Sequence, residues 1–290
     1  MITPWELLTT HTYLMAVLGT MVIGVAAGAL SPVVYFRKQA LISDVISHAS
    51  LPGITFAFLI AAYLNLPTRN PLFLAAGALL TALLAVGLSH WLFHHTPLSV
   101  DTGMAISLSV SFALGMLGLF IITKQPLPGK GGIQDYLLGN ASSVTIADLR
   151  ISVVLSLVIL SGLIWYFPML KCWLFDPTFA ATSGVHTRLL HVVAMTAFAL
   201  VVVNGIKVVG VILMVSFVIA PCVAARQWSN HLGVVTVLAA VIGAASCLIG
   251  VYLAVIIGSI PTGPLIAVVQ AVFALVSLVF APKRGLVFSQ

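Results

Sequence analysis

Two side chains that can bind a transition metal stand four residues apart in the sequence. Asp44 and His48 lie in a stretch, residues 40–64, that is otherwise largely apolar. Residues four apart share one face of an α-helix, so the carboxylate and the imidazole should point the same way. Carboxylate oxygen and neutral imidazole nitrogen suit Mn²⁺, Zn²⁺ or Fe²⁺, whereas Mg²⁺ and Ca²⁺ prefer oxygen ligands alone. The pair therefore predicts a contact with a transition metal.

A purely structural role for the same pair stays open at this point. Asp44 could cap the start of a helix while His48 hydrogen-bonds a serine, with Ser47 beside them. The setting favours the metal interpretation, because ionisable residues inside a membrane span are costly and usually line an ion or substrate path.

The amino-acid composition is that of a polytopic membrane protein. Apolar residues make up 61% of the chain and charged residues 6%, and the mean hydropathy is +1.20. A soluble domain needs far more charge to cover its surface. The net charge of +6 is small for 290 residues and is spread along the chain. Membrane lipid is therefore an expected partner and nucleic acid is not.

Nine stretches approach the length of about 20 apolar residues that a membrane span requires. Two of them are short and are joined by residues 204–207, where Gly205 invites a break. They form either a reversing hairpin of short helices or one long bent helix. The prediction is an all-α polytopic bundle of eight to nine spans. The nine stretches are residues 13–36, 41–64, 72–93, 102–123, 149–167, 189–203, 208–225, 232–257 and 265–280.

The basic residues favour one orientation of these spans. With nine spans and the amino end outside, the inner loops hold more Lys and Arg than the outer loops, as the positive-inside rule requires. The inner set is Arg37, Lys38, Lys171, Arg188, Arg226, Lys283 and Arg284, and the outer set is Arg69, Lys124, Lys130, Arg150 and Lys207.

The predicted inner loop at residues 168–188 should contain a helix of about two turns. Asp176 precedes Pro177, which is a good pair for an N-cap and first helical position, and Gly184 is a good stop. A surface helix of this kind either docks a partner protein or touches only lipid headgroups.

Three histidines, His90, His94 and His95, close the third predicted span, with Trp91 and Phe93 between them. A metal site is one interpretation of this group. His and Trp at a helix end are more often anchors at the membrane interface.

Several motifs together resemble the membrane permease subunit of bacterial ABC importers for manganese, zinc or iron. The strongest likeness is the stretch from Asp44 to Gly53, which is similar to the D-x-x-x-H-x-x-L-P-G signature of that family. Two departures are Thr178, where the family often has Glu, and Lys207, where Gln is common. The other similar stretches are residues 101–107, 112–115, 136–139, 175–184, 209–213, 220–221 and 260–264, in the family's order.

The resemblance implies a fold, a location and a set of partners. Residues 1–290 would form one transmembrane permease domain, related in organisation to cobalamin and siderophore ABC permeases, in the bacterial cytoplasmic (inner) membrane. No cofactor would be bound permanently, because the divalent metal is the cargo. ATP would bind a separate ABC ATPase subunit, a metal-binding solute-binding protein would deliver the cargo, and a second permease copy, identical or related, would complete the path.

The resemblance also assigns roles to single residues within this mechanism of alternating access. The chain contains no G-x-x-x-x-G-K-[ST] motif, so it is not expected to be an enzyme itself. The predicted roles are metal contact for Asp44 and His48; coupling to the ATPase for Asp176, Ala180 and Gly184 in a segment at about 175–188; and gate or hinge for Pro52 and Gly53.

Two other classes of transporter remain as alternatives. A cobalamin or iron-chelate ABC permease would need a wide polar path, and usually a longer chain. A secondary transporter driven by an ion gradient would show internal repeats and more carboxylates within its spans, and the sequence shows neither.

Overall fold

The computed structural model describes residues 11–68, 70–127, 129, 139, 145–211, 214–258 and 261–282. Every regular element in these ranges is an α-helix. In chain order the helices are α1 His11–Phe36, α2 Ile42–Tyr63, α3 Pro71–His95, α4 Val100–Lys124, α5 Ile146–Trp165, α6 Phe167–Phe175, α7 Pro177–Thr182, α8 Thr187–Val209, α9 Met214–Trp228, α10 Leu232–Ile257 and α11 Thr262–Phe280.

Eight of the described helices are long and apolar enough to cross a membrane. The ninth apolar helix, α9, has 15 residues and spans only about 22 Å at 1.5 Å per residue, which is less than the hydrocarbon core of about 30 Å. The prediction of eight to nine spans is therefore confirmed, with α9 as the short one.

Contacts between helix ends show that α1, α6, α9 and α11 all end on the same side of the bundle. Phe36, at the end of α1, packs against Phe175 at the end of α6, with 5.3 Å between the ring centroids. The guanidinium of Arg226, near the end of α9, lies 5.4 Å from the centre of the Phe36 ring. Near the end of α11, Ser277 accepts a hydrogen bond of 3.0 Å from Trp228. We call this side of the bundle the α7 end.

The opposite end of the bundle is marked by contacts between α5 and α8. Lys207, in the last turn of α8, pairs with Asp148, in the first turn of α5, at 2.6 Å. Because α8 ends here and α9 ends at the α7 end, α9 carries the chain back across the bundle. It is a short crossing in its own right.

The predicted break at residues 204–207 is wrong. These residues belong to α8, which continues to Val209, and the chain leaves the helix at Gly210 with φ of 94°. Gly205 allows the Met214 side chain to pack closely against α8, because a Cβ there would lie 2.8 Å from the Sδ of Met214. The alternative of one long bent helix is also wrong, since α8 and α9 are separate helices.

Helix α2 lies deep in the bundle, which is why it can hold polar residues. Fifteen of its 22 residues are buried, against four of the 20 residues of α5. Small residues permit close packing on two sides: a Cβ on Gly77 of α3 would lie 2.6 Å from the Gly53 carbonyl oxygen, and Gly115 of α4 faces Leu51. Close approach through small residues is the usual way in which helices associate in lipid.

Some sequence predictions fall outside the described residues. These are the turn at residues 136–138, the stretch 212–213 and the two ends of the chain, 1–10 and 283–290. Gly139, the last residue of the predicted turn, is described: it has φ of 74° and approaches the backbone of Val209 and Gly210.

Candidate functional site

Asp44 and His48 lie together near the start of α2, as their spacing predicts. The Nε2 atom of His48 is 4.0 Å from Oδ1 of Asp44, and the two side chains are 18% and 28% exposed respectively. Nδ1 of His48 is shut off from solvent and has no hydrogen-bond partner among the described residues. The pair is thus half-buried and its metal-binding atoms are only weakly engaged with each other.

The structural roles considered for this pair are absent from the described part of the chain. The N-cap residue of α2 is Leu41, and no side chain caps this helix. The Ser47 hydroxyl donates to the backbone carbonyl of Asp44 at 3.2 Å, and the Ser50 hydroxyl donates to the carbonyl of Ser47. Both serine hydroxyls therefore bond to backbone carbonyls, and neither bonds to the imidazole.

Pro52 leaves one backbone carbonyl of α2 without its usual helical hydrogen bond. A proline inside a helix has no N–H to give the carbonyl four residues earlier, and for Pro52 that carbonyl belongs to His48. In α1, Pro32 has the same effect on Gly28, but there the Ser31 hydroxyl donates to the freed carbonyl at 2.6 Å. No side-chain hydroxyl does so for His48 within the described ranges, so its oxygen lacks the usual donor.

Gly53, the other predicted hinge residue, is tightly packed. Helix α2 continues through Pro52 and Gly53 to Tyr63. A Cβ on Gly53 would overlap the carbonyl oxygen of Gly77 and the hydroxyl of Thr81 in α3. In this conformation the glycine gives close helix packing, and a hinge role stays a prediction for Pro52 and Gly53.

Phe112 of α4 belongs to this site, and sequence reasoning missed it. Its ring meets the His48 ring edge to face, with centroids 5.0 Å apart and an interplanar angle of 81°. Phe112 opens one of the stretches that suggested the family, but nothing in the sequence indicates which residue of α2 it faces. The contact restricts the orientation of the imidazole.

The described residues of one chain bring too few side chains together to enclose a metal ion. Throughout the described ranges, no three His, Cys, Asp or Glu side chains come close enough to hold one. This holds also for His90, His94 and His95. Nδ1 of His95 lies 3.0 Å from the Trp91 carbonyl, and its ring stacks on Trp91 with centroids 5.2 Å apart, as expected of an anchor at the membrane interface.

The predicted coupling segment has the cap and the stop that its sequence indicates. Oδ1 of Asp176 accepts hydrogen bonds from the Phe179 N–H at 2.9 Å and the Thr178 hydroxyl at 2.6 Å. These bonds, that of Phe179 above all, hold the pKa of Asp176 below its ordinary value. At the other end Gly184 has φ of 82°, and Val185 N–H donates to the Ala180 carbonyl at 3.0 Å. This is a Schellman stop, which closes α7 as a compact unit.

The surface of α7 differs from the predicted one. Ala180 is completely buried against its own chain, whereas Phe179 is 60% exposed and neighbouring Phe175 is 55% exposed. The Ala180 side chain is therefore unavailable to a partner subunit and instead packs α7 against the rest of its own chain. Phe179 and Phe175 are the apolar groups that α7 and the end of α6 present.

Lys207 does not act as an unpaired positive charge. Its Nζ lies 2.6 Å from Oδ2 of Asp148, and the same carboxylate forms a capping box with Thr145 at the start of α5. The ion pair borders a small cleft of about 70 Å³ that also meets Ser152 and Asn204. The Asp148 carboxylate neutralises the charge that would otherwise repel a cation.

Three features define the class of this protein: antiparallel helices of membrane-spanning length, an ionisable pair inside the bundle and a capped helix at one end. It is a multi-pass α-helical membrane permease. The model of the ABC 3 transport family matches residues 10–281, and the chain belongs to that family.

Three comparisons show how far the likeness extends. The chain is 33% identical over 283 residues to the zinc transport system membrane protein TroC of Treponema pallidum, covering 98% of this chain and 93% of that one. PsaBC from Streptococcus pneumoniae, solved with a Fab, is 27% identical with a TM-score of 0.84, covering 96% and 95%. An inward-facing metal-chelate type ABC transporter is 18% identical with a TM-score of 0.70, covering 96% and 89%, which shows a common fold. The predicted family and fold class are confirmed.

Proposed function

We propose that this chain is the permease subunit of an ATP-driven importer that carries a divalent transition metal across the bacterial cytoplasmic (inner) membrane by alternating access. The observation that carries the proposal is the Asp44–His48 pair, half-buried inside a membrane-spanning helix, with no cap or serine bond to occupy it. Such a pair is costly in lipid and is usually retained for transport.

The ligand chemistry favours a bare metal ion over a metal chelate. An imidazole and a carboxylate coordinate Mn²⁺, Zn²⁺ or Fe²⁺ directly, and the Phe112 ring packs against the imidazole. The zinc transport relative is 33% identical to this chain, whereas the metal-chelate type neighbour is 18% identical. Which of the three metals is carried does not follow from the donor set, because affinity order does not decide selectivity in cells.

A second copy of the permease would complete the metal site. Four-coordinate sites are usual for Zn²⁺, and the described residues of one chain bring only two ionisable ligands together. Two copies related by a twofold axis would contribute two carboxylates and two imidazoles. A related permease with the same two residues would serve equally well.

The energy for transport would come from a partner. The chain lacks a phosphate-binding P-loop motif, so ATP would bind and be hydrolysed on a separate ABC ATPase subunit docked at the α7 end. A metal-binding solute-binding protein would deliver the ion at the opposite end. The chain would hold no permanent cofactor, and residues 1–290 would act as one permease domain.

Uptake by the assembled system tests the proposed function. Proteoliposomes holding the permease with its ATPase and solute-binding protein should accumulate Mn²⁺, Zn²⁺ or Fe²⁺ when ATP is present. An ATPase variant that binds but cannot hydrolyse ATP should give no accumulation. Accumulation of cobalamin or a ferric siderophore without the free metals, or uptake driven by an ion gradient without ATP, would contradict the proposal.

The stop of α7 offers a test of coupling. Gly184→Val forces a β-branched residue into φ of 82°, which costs about 1–3 kcal/mol and should loosen the contact with the ATPase. No atom lies within 4 Å of the Cβ position, so the permease should still reach the membrane. We expect ATP hydrolysis to continue while metal uptake falls severalfold.

A matched control stands next to this position. Ser183→Val places the same side chain on an exposed neighbour whose φ is −81°, and it should leave uptake close to that of the unmodified permease. Wild-type uptake by Gly184→Val at equal expression would remove the coupling role of this segment.

A further inference from the structure

Basic and aromatic side chains gather at the α7 end, away from the Asp44–His48 pair. The guanidinium of Arg37, in the loop after α1, lies 4.5 Å above the ring of Trp173 in α6. Trp173 is 2% exposed and forms the floor on which Arg37 rests. His191 of α8 also packs against this ring, with centroids 5.8 Å apart.

The group extends from His191 across to α3. The His90 ring lies 5.9 Å from the His191 ring and 4.3 Å from the His94 ring, measured between centroids. Arg188 is three residues before His191 in α8, so the two share a helix face. We call Arg37, His90, His94, Arg188 and His191 the basic cluster.

No carboxylate balances the basic cluster in the described part of the chain, where the recorded ion pairs are His48 with Asp44 and Lys207 with Asp148. Nε of Arg37 and Nδ1 of His191 are shut off from solvent and lack hydrogen-bond partners. Partial burial lowers the pKa of the Arg37 guanidinium, because desolvation is not offset by a negative charge. An anionic group from outside the chain would offset that cost.

The position of the basic cluster indicates which anion this is. α3 ends at His95 and α8 begins at Thr187, so the cluster lies where membrane spans end. Trp91 and Phe93 beside it are 55% and 41% exposed, as in an aromatic belt at headgroup level. Arg and imidazole N–H groups suit phosphate oxygens.

We propose that the basic cluster binds the phosphate of an anionic phospholipid from the adjacent membrane leaflet. The lipid phosphate accepts hydrogen bonds from the guanidinium groups of Arg37 and Arg188, which supply the positive charge, and the imidazoles of His90, His94 and His191 supply further N–H donors. Since Trp173 belongs to α6, which leads directly into α7, a bound lipid also braces the base of the coupling segment. The inference does not depend on which solute is transported.

Lipid binding by the purified, delipidated permease complex tests this site. Native mass spectrometry with added phosphatidylglycerol should show a retained lipid that phosphatidylcholine does not replace. Each basic side chain near a lipid surface contributes about fivefold in affinity. Arg37→Gln and Arg188→Gln should therefore each weaken phosphatidylglycerol binding by about fivefold, and Arg37→Lys should retain most of it.

The matched control is Arg150→Gln, which removes an exposed positive charge near the start of α5 at the opposite end and should leave the affinity unchanged. Arg188 is exposed, so its variant should fold even if Arg37→Gln does not. Equal binding of the two lipids, or equal affinity in all variants, would overturn the site. Displacement of the lipid by millimolar inorganic phosphate would point to a free anion as the ligand. Arginine variants that lose the ATPase but keep the lipid would point to a carboxylate of the ATPase. Either result would overturn the lipid assignment.

Discussion

Asp44→Asn and His48→Gln should each reduce accumulation of Mn²⁺ or Zn²⁺ more than tenfold while the permease still assembles with its ATPase. Asn keeps the shape of Asp44 but loses the charge that attracts a cation, and Gln removes the imidazole nitrogen of His48. Both replacements can still form hydrogen bonds. A merely structural pair would therefore tolerate them. The 4.0 Å between the two side chains is too long for a hydrogen bond, and neither side chain caps α2.

Uptake of radiolabelled metal in cells that lack other importers measures this effect, with expression and ATP binding checked in parallel. Asp101→Asn is a matched control, because Asp101 is exposed in the first turn of α4. His95→Gln is a second control, since that ring lies at the membrane interface beside Trp91. Wild-type transport by both α2 variants would reduce the pair to helix packing.

Gly53→Ala should prevent normal accumulation of the permease in the membrane. The added methyl group would overlap the carbonyl oxygen and carbon of Gly77. These are backbone atoms, so α2 and α3 would have to move apart. Overpacking of this kind costs about 1–3 kcal/mol or more, and α2 is the helix that carries Asp44 and His48.

The yield of the purified permease and its thermal unfolding midpoint in detergent measure the effect. Gly87→Ala is the control, because it makes the same change in α3 at a position with no atom within 4 Å of the added Cβ. That variant should be neutral or gain up to about 1 kcal/mol through helix propensity. A Gly53→Ala permease with wild-type yield and midpoint would show that the α2–α3 contact is looser than the structure indicates.

Local sequence patterns were enough to predict most of the fold. Apolar runs of about 20 residues correspond to the spans because lipid requires the backbone to satisfy its own hydrogen bonds. The four-residue spacing of Asp44 and His48 placed them on one face. The Asp-Pro pair and Gly184 set the ends of α7, since caps act on the backbone of their own turn.

The features that the sequence did not reveal depend on partners far away in the chain. Gly205 looks like a helix breaker, but it lies inside α8 because its missing side chain makes room for Met214. Lys207 looks unpaired until Asp148 is brought beside it. Phe112 meets His48 only after α4 has packed on α2. Tertiary packing decides all three, and no alternation or spacing rule encodes it.

The described part of one chain brings only two ionisable ligands together, and this has a consequence for cargo release. Under the proposed pairing of two copies, each chain is a half-site with weak affinity of its own. Metal–ligand bonds of about 2.0–2.2 Å tolerate little stretching, so a small movement of the two copies apart would break the bonds to the metal ion. The hold on the ion would then vary with the distance between subunits, and a mechanical step driven by ATP could discharge the ion without a change in the protonation of either ligand.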